Sequence, residues 1–346
     1  MFTRRAFSGA VAAAGASACA TMPGRASYRR ISCEEGFLTP EILAQNARTQ
    51  GRLIVAEGPT AGLARALSDI GAGRIEAMDA ARIDQQVLVL SAPGVQVYPA
   101  DIAVSLARSV NDRVSDACRA HPDRLAALAT LAPQAPQSAA RELERGVREL
   151  GLKGGLINSH TFGEYLDDQK FWPIFEAAEA LDAPIYIHPR DPSPGLAAAS
   201  PAFMGNDAWA YGIEVGTHAV RLIWSGVFDR FPELRFVIGH MGEAVPFWLP
   251  RLDNRYQAGV AIGSPRLQRM PSDYFLEHFV ITTSGMNYWP QTRMTLDVMG
   301  RERVLFASDF PFEDQKGAVD LAEAFPMTPE EKALFFEANA RRVFKV

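Results

Sequence analysis

Eight short apolar runs recur between residues 30 and 309, and segments with a helical pattern lie between them. Continuous apolar runs of this length are typical of strands buried on both faces of a parallel sheet. The intervening segments, such as 136–151 and 169–182, have apolar residues three to four positions apart, as in amphipathic helices. The runs occupy 30–33, 85–92, 125–133, 151–158, 183–188, 234–240, 278–285 and 303–309. This alternation predicts an α/β protein with a (β/α)8 TIM barrel over residues 29–346, and a doubly wound open sheet is the structural alternative.

Polar residues end most of these runs. In a TIM barrel the carboxyl ends of the strands meet at one face, where the chemistry takes place. We therefore expect the polar residues at the strand ends to lie close together in space. They are Glu34, Asn158, His188, His240, Ser284 and Asp309.

Three of these strand-end residues have the side chains of a metal site. His188 ends the apolar run "APIYIH", and Asp309 follows "VLFAS" directly. A buried carboxylate in such a place is costly unless it is paired or bound to a cation. Asp309 is a poor helix cap, because Pro311 follows before any helical pattern. Glu34, His188 and Asp309 together predict one divalent metal ion, Zn²⁺ or Mn²⁺, with open positions for water or substrate.

The pair Glu34-Glu35 raises the question of which carboxylate faces the site. Successive strand residues point to opposite faces, and Glu34 shares its face with Gly36. We expect Glu34 to bind the metal, and Gly36 to leave space beside it. Glu35 is expected to point toward the helix layer or a loop, so that its replacement by Gln would keep most of the metal and activity.

The segment after His188 is rich in Pro, Ser, Ala and Gly over residues 189–210, which predicts a long loop over the barrel mouth, a candidate lid. His160 follows the fourth run and is a candidate for contact with substrate. Phe162, Trp209 and Phe312 are candidate aromatic walls for a planar substrate, with ordinary packing as the alternative.

The charge distribution limits the classes of molecule that the chain can be expected to bind. The formal net charge is −5, and the 35 basic residues form no block, so the chain lacks an electrostatic footprint for nucleic acid. A small-molecule substrate is the expected partner. The pattern does not decide between a monomer and a homo-oligomer.

The first 24 residues form a separate unit. Arg4-Arg5 precedes an Ala-rich apolar stretch without acids, which predicts a twin-arginine export signal and a periplasmic or exported protein. An ordinary N-terminal helix is the alternative. However, the stretch is shorter than a membrane span of about 20 residues, and it is too rich in Ala to pack as a core helix. A lipid anchor at Cys19 is a weaker alternative, because the residues before it lack the usual leucine.

Two cysteines remain after such a signal, Cys33 in the first apolar run and Cys118 in a helical pattern. We expect two buried thiols rather than a disulfide, although an exported protein would meet an oxidising compartment.

Five stretches of the sequence are informative together: "CEEGFLTPE", "INSHTFGEYLDD", "PIYIHP", "GHMGEAVPFWLPRLD" and "LFASDFPF". They resemble one branch of the amidohydrolase superfamily. That branch contains non-oxidative decarboxylases of 5-carboxyvanillate, γ-resorcylate and aminocarboxymuconate semialdehyde. The resemblance covers roughly residues 30–346, and its most specific part is the stretch that begins at Gly239.

The resemblance implies the same three metal ligands. Glu34 matches the first carboxylate of the family's E-x-H element, His188 the ligand of strand five, and Asp309 the ligand of strand eight, which also handles a proton. Gly36 falls on the histidine of that element, a departure that the carboxyvanillate group shares.

The resemblance also implies catalytic and substrate-binding residues. His240 and Glu243 match a catalytic pair beside the metal, and Arg251 matches an arginine that grips the substrate carboxylate. The segment 55–67 is shorter than in the carboxyvanillate enzymes, which have a further substrate-binding arginine there. Arg65 is a substitute in principle, but its helical pattern favours a solvent-facing position.

The expected function is metal-dependent, non-oxidative decarboxylation of a small hydroxy-aromatic or related carboxylic acid. A metal-dependent hydrolase of a lactone or acyl compound on the same barrel is the alternative. A secreted binding protein that has lost its metal is a third interpretation, because Gly36 replaces a ligand.

The export signal is tested by replacing both arginines. Arg4→Lys with Arg5→Lys keeps the positive charge but removes the two planar guanidinium groups, and we expect this variant to stay in the cytoplasm. Cell fractionation measures its location. Normal periplasmic levels of the double variant would contradict the export prediction.

Overall fold

The computed structural model describes residues 27–49, 53–200 and 207–346 of the chain. The predicted export signal and Cys19 lie outside these residues.

The strands are parallel and their residues are buried, as the continuous apolar runs predicted. β3 and β4 occupy one position of the barrel, because Leu128 between them donates its backbone N–H to Leu88 O at 3.1 Å. The strands are β1 (Ile31–Phe37), β2 (Gln85–Leu90), β3 (Leu125–Ala127), β4 (Ala129–Thr130), β5 (Gly155–Ile157), β6 (Ile185–Ile187), β7 (Phe236–Ile238), β8 (Phe279–Thr282) and β9 (Val304–Leu305).

Backbone hydrogen bonds close the sheet into a barrel. The pairing runs from β1 through β2 to β3, and from β4 in chain order to β9. The segment directly after β9 returns to β1, since Cys33 N donates to Phe306 O at 3.0 Å and Gly36 N donates to Phe310 O at 2.8 Å. The predicted (β/α)8 barrel is therefore confirmed, and the open sheet is excluded.

Helices cover the outside of the barrel. Many begin with proline in their first turn, where the missing N–H has no partner to lose. Short 3₁₀ turns lie at Gly58–Thr60, Gln169–Phe171 and Arg301–Arg303, and a π-helical segment at Leu334–Ala338. The helices are α1 (Pro40–Asn46), α2 (Ala61–Ser68), α3 (Ala72–Ala81), α4 (Ala100–Ala120), α5 (Pro136–Arg148), α6 (Trp172–Ala180), α7 (Pro194–Ala199), α8 (Ala210–Trp224), α9 (Val227–Arg230), α10 (His240–Glu243), α11 (Val245–Ala261), α12 (Pro271–His278), α13 (Trp289–Met299), α14 (Gln315–Glu323), α15 (Pro329–Ala333) and α16 (Asn339–Phe344).

The core is formed by the strands and the inner faces of the helices. Between α9, β7 and β8 it contains packed aromatic rings, with Phe228 stacked on His278 at 4.2 Å between ring centroids. His278 also hydrogen-bonds Leu234 O through Nδ1, so it is a structural residue. Cys33 and Cys118 are free thiols, as predicted, but only Cys33 is fully buried, since Cys118 is partly exposed.

The candidate lid differs from the predicted loop in one respect. Residues 194–199 form the short helix α7, which begins at Pro194. The base of the lid is held by Ser193, whose N–H donates to Glu214 of α8 at 2.8 Å.

No helix in the described ranges has both the length and the apolar character needed to cross a membrane.

Candidate metal and catalytic site

Glu34 lies in the middle of β1, and its side chain is fully buried. Its Oε2 accepts hydrogen bonds from the hydroxyl groups of Tyr186 and Thr282, the latter at 2.9 Å. Its Oε1 is buried and has no hydrogen-bond partner among the described residues. A buried carboxylate oxygen without a partner is costly, and a bound cation removes that cost.

His188 faces this unpartnered oxygen. Its Nε2 lies 3.4 Å from Glu34 Oε1. Its Nδ1 lies 2.8 Å from the carbonyl oxygen of Pro189, which can only accept, so Nδ1 carries the proton. The lone pair is therefore on Nε2, and such a backbone bond at the other nitrogen is the usual arrangement of a metal-binding histidine.

Asp309 completes a set of three donors. Glu34, His188 and Asp309 each offer one ligand atom, and these atoms lie within 4.8 Å of one another. The set of two carboxylates and one imidazole suits Zn²⁺ or Mn²⁺, and the unpartnered Glu34 Oε1 gives the cation a place to bind. The residues present therefore fit one divalent metal ion.

A chain of ionisable side chains leads away from Asp309. His240 Nε2 lies 3.6 Å from Asp309 Oδ2, and His240 Nδ1 lies 2.9 Å from Glu243 Oε1. The imidazole thus stands between two carboxylates, which is an arrangement able to pass a proton toward Asp309.

The charges of the site shift its pKa values in a consistent way. Burial alone would lower the pKa of His240, but Glu243 and Glu34 outweigh it and raise that pKa well above its ordinary value. Burial would raise the pKa of Glu34, but His240, His188 and the two hydroxyl donors bring it below the usual range. Without a metal ion, burial raises the pKa of Asp309. The site is thus a tightly coupled set of charges around one buried cation position.

An unusual backbone presents His240 and Glu243. All residues from His240 to Ala244 have positive φ angles, so α10 is a left-handed turn. Such a turn is unfavourable for L-residues and persists only where its surroundings hold it. Helix α8 packs closely against this turn because Gly212 and Gly216 leave room for it: a Cβ at Gly212 would lie 2.8 Å from Glu243 Oε2, and one at Gly216 would lie 3.2 Å from Glu243 O.

Glu35 points away from the three donors, as predicted, toward the loop after β9. Its carboxylate is buried and accepts hydrogen bonds from Ser32 Oγ, Ser308 N, Ser308 Oγ and Phe310 N. Burial raises the pKa of Glu35 to about 7, although these hydrogen bonds oppose the rise. The two adjacent carboxylates therefore lie in different environments: Glu34 faces the other two proposed metal ligands, and Glu35 faces the loop after β9.

The expected space beside Gly36 is filled. A Cβ there would lie 2.8 Å from Ser91 Oγ, 3.0 Å from Leu67 Cδ2 and 3.1 Å from Phe312 Cε2. The prediction of open space at this position is therefore wrong. The same contacts place Phe312 at the barrel mouth, where it is partly exposed and able to form a wall.

The remaining predicted residues lie farther from the three donors. His160 is buried, and its nitrogens accept from Gly163 N at 3.1 Å and donate to Asp191 O at 3.0 Å, which ties the lid to the loop after β5. Arg251 is exposed on α11, and Arg65 is exposed on α2. The roles of His160 and Arg251 in substrate binding stay predictions.

Sequence reasoning missed three residues that support Glu34. Tyr186 and Thr282 hold its carboxylate, and Gly239 gives it room, because a Cβ at position 239 would lie 2.5 Å from Glu34 Oε2. One signal was available: Tyr186 is two residues before His188 on β6 and therefore shares its face of the strand.

Comparison with known proteins identifies the family. The sequence profile described as Amidohydrolase matches residues 56–346. The chain belongs to the amidohydrolase family. This membership agrees with the barrel and with the position of the three donors at its mouth.

Relatives of this amidohydrolase span nearly the whole chain. A γ-resorcylate decarboxylase of Polaromonas sp. strain JS666 is 36% identical over 327 residues, covering 92% of this chain and 98% of the relative. The crystal structure of 5-carboxyvanillate decarboxylase from Sphingomonas paucimobilis has 40% identity and a TM-score of 0.89, and covers 92% of this chain and 100% of its own.

A second solved structure contains a metal. The 5-carboxyvanillate decarboxylase of Novosphingobium aromaticivorans was crystallised with manganese and 4-hydroxy-3-methoxy-5-nitrobenzoic acid. It is 38% identical, has a TM-score of 0.89, and covers 93% of this chain and 97% of its own.

The contact between Gly239 and Glu34 yields a prediction. Gly239→Ala places a methyl group against the Glu34 carboxylate, which must then move, and we expect the affinity for Mn²⁺ to fall by about tenfold or more. Titration of the metal-free protein with Mn²⁺ measures this. Gly62→Ala is the control, because a Cβ there meets nothing within 4 Å. Equal affinities of the two variants would contradict the proposed packing.

Proposed function

We propose that this amidohydrolase is a metal-dependent, non-oxidative decarboxylase of a small hydroxy-aromatic carboxylic acid. The observation that carries the proposal is the convergence of Glu34, His188 and Asp309, with Asp309 next to the His240–Glu243 pair. The three donors provide a cation position, and the pair provides a route for a proton. Both are needed to replace a carboxylate by hydrogen on an aromatic ring.

The relatives support this choice over hydrolysis. The proteins of known activity described above act on hydroxy-aromatic acids and release their carboxyl group, and each aligns with more than nine-tenths of this chain. The decarboxylase interpretation also uses each residue of the charged cluster. The predicted export signal adds the proposal that the reaction takes place outside the cytoplasmic membrane.

Glu34, His188 and Asp309 would hold the metal through Oε1, Nε2 and a carboxylate oxygen. When bound, a divalent metal supplies positive charge that orients the carboxylate and the neighbouring hydroxyl oxygen of the substrate. Tyr186 and Thr282 keep the Glu34 carboxylate in place through its other oxygen.

Asp309 is the proposed proton donor. It transfers a proton to the ring carbon that bears the carboxylate, and the ring supplies the electron pair of the new C–H bond. The ring loses its aromaticity in this step. The C–C bond to the carboxylate then breaks, its electron pair returns to the ring, and CO2 leaves.

His240 returns a proton to Asp309 after each turnover. Its Nε2 lies 3.6 Å from Asp309, and the hydrogen bond to Glu243 fixes the orientation of the ring. The overall reaction consumes one proton and releases one CO2. Phe312 forms part of the wall for the planar ring, and Arg251 is the proposed partner of the substrate carboxylate.

The proposed activity is tested with a panel of substrates. Purified protein is loaded with Mn²⁺ or Zn²⁺ and offered hydroxybenzoates, carboxyvanillate-type diacids and lactones. We expect CO2 release from at least one hydroxy-aromatic acid, and loss of that activity after chelation. Release of an acid from a lactone, without CO2 from any substrate, would contradict the decarboxylase proposal in favour of the hydrolase.

Two substitutions separate proton transfer from substrate binding. His240→Asn removes the proton carrier but none of the three proposed ligands, so we expect kcat to fall by about 100-fold or more with bound metal unchanged. Arg251→Met is expected mainly to raise KM. Steady-state kinetics and elemental analysis measure both. Metal loss in the His240 variant would mean that His240 is a ligand.

A further inference from the structure

Asp309 has a backbone conformation that needs support. Its φ angle is +69°, in the left-handed region, where an aspartate is tolerated but not favoured. The residues on either side of it, Ser308 and Phe310, donate their backbone N–H groups to the same side chain, the carboxylate of Glu35. The two bonds are 3.0 and 2.9 Å long. Ser308 N also donates to Ser32 Oγ at 2.9 Å, and that hydroxyl donates to Glu35 Oε1. Glu35, together with Ser32, therefore holds the backbone before and after Asp309.

We propose that Glu35 is a positioning residue that fixes the backbone of Asp309, so that the Asp309 carboxylate meets Glu34 and His188. This inference depends on the proposed metal site. One dipeptide of β1 then provides one ligand through Glu34 and positions another through Glu35.

Further contacts connect the same loop to β1. The hydroxyl of Ser308 donates to Glu35 Oε2 at 2.8 Å, and Gly36 N donates to Phe310 O at 2.8 Å. The buried Arg74 of α3 donates to Gly36 O at 2.8 Å and lies over the ring of Phe310 at 5.2 Å. Arg74 also supplies the opposite charge near Glu35 that a buried carboxylate needs.

The chemistry of the donors explains why a carboxylate is required. Each oxygen of Glu35 accepts from one backbone N–H, Oε1 from Ser308 and Oε2 from Phe310. A glutamine has only one acceptor oxygen, so its NH2 group would face one of these N–H groups in either orientation. The loop must then shift, and Asp309 shifts with it.

The test measures metal affinity instead of activity. Mn²⁺ is titrated into metal-free protein, and free Mn²⁺ is followed by electron paramagnetic resonance. We expect Glu35→Gln to lower the affinity by about 10–100-fold, as for other partners that orient metal ligands. Unchanged affinity in the folded variant would overturn the proposal and would instead bear out the expectation from the sequence that this substitution is harmless.

A matched control separates positioning from general destabilisation. Glu214 is equally buried, accepts one backbone N–H from Ser193, and contacts the lid instead of the loop after β9. We expect Glu214→Gln to leave Mn²⁺ affinity within about twofold of the parent, a limit set by ordinary measurement error. An equal loss in both variants would overturn the proposal.

A double-mutant cycle tests whether Glu35 acts through Asp309. In an Asp309→Asn background, measured over a range of Mn²⁺ extended to millimolar, the Glu35→Gln substitution is expected to have little further effect. The same fold-loss in both backgrounds would mean a merely structural role. If Glu35→Gln does not fold, the Ser308→Ala variant replaces it in the test. We expect Ser308→Ala to lower Mn²⁺ affinity by about fivefold, and this loss to disappear in the Asp309→Asn background.

The two proposals fail differently. If Glu34→Gln and Asp309→Asn leave Mn²⁺ affinity unchanged, the proposed metal site is wrong. If these variants lose metal but Glu35→Gln and Ser308→Ala do not, the metal site stands and the positioning role of Glu35 is wrong.

Discussion

The hydrogen bonds between the first strand and the segment directly after the last strand are the constraint on which the rest of this structure depends. They join β1 to Phe306 and Phe310, which follow β9, and so close the barrel. They also bring Glu34 next to Asp309, which is distant from it in the sequence. Without closure, the two carboxylates would stand at opposite edges of an open sheet. His188 enters the same space because β6 stands in register with its neighbours. The donor set is therefore a property of the closed barrel.

A second constraint positions the proton route. His240 and Glu243 belong to a left-handed turn that isolated residues would avoid, and two glycines of α8 let that helix pack closely against the turn. The same helix contacts Ser193, at the start of the candidate lid, through Glu214. Thus α8 contacts both the start of the candidate lid and the pair that handles the proton.

Much of this was predictable because it depends on local pattern. Apolar runs gave all eight strand positions, and the polar residues at their ends included Glu34, His188 and Asp309, since strand direction alone decides which residues reach the mouth. The alternation of side chains also separated Glu34 from Glu35. Local pattern does not encode distances between segments. The crowding around Gly36 depends on tertiary packing and could not be predicted. For the hydroxyl donors to Glu34, the sequence indicates only that Tyr186 shares a strand face with His188; that Tyr186 and Thr282 reach Glu34 depends on packing between strands.

The glycines that touch the acids have an evolutionary consequence. Gly239 lies against the carboxylate of Glu34, and Gly212 lies against that of Glu243, so a side chain at either position would displace a charged group. Phe162, Trp209 and Phe312 are exposed, and substitutions there meet less resistance from packing. Evolution of this chain can therefore exchange its exposed aromatic residues more readily than the two glycines beside its acids.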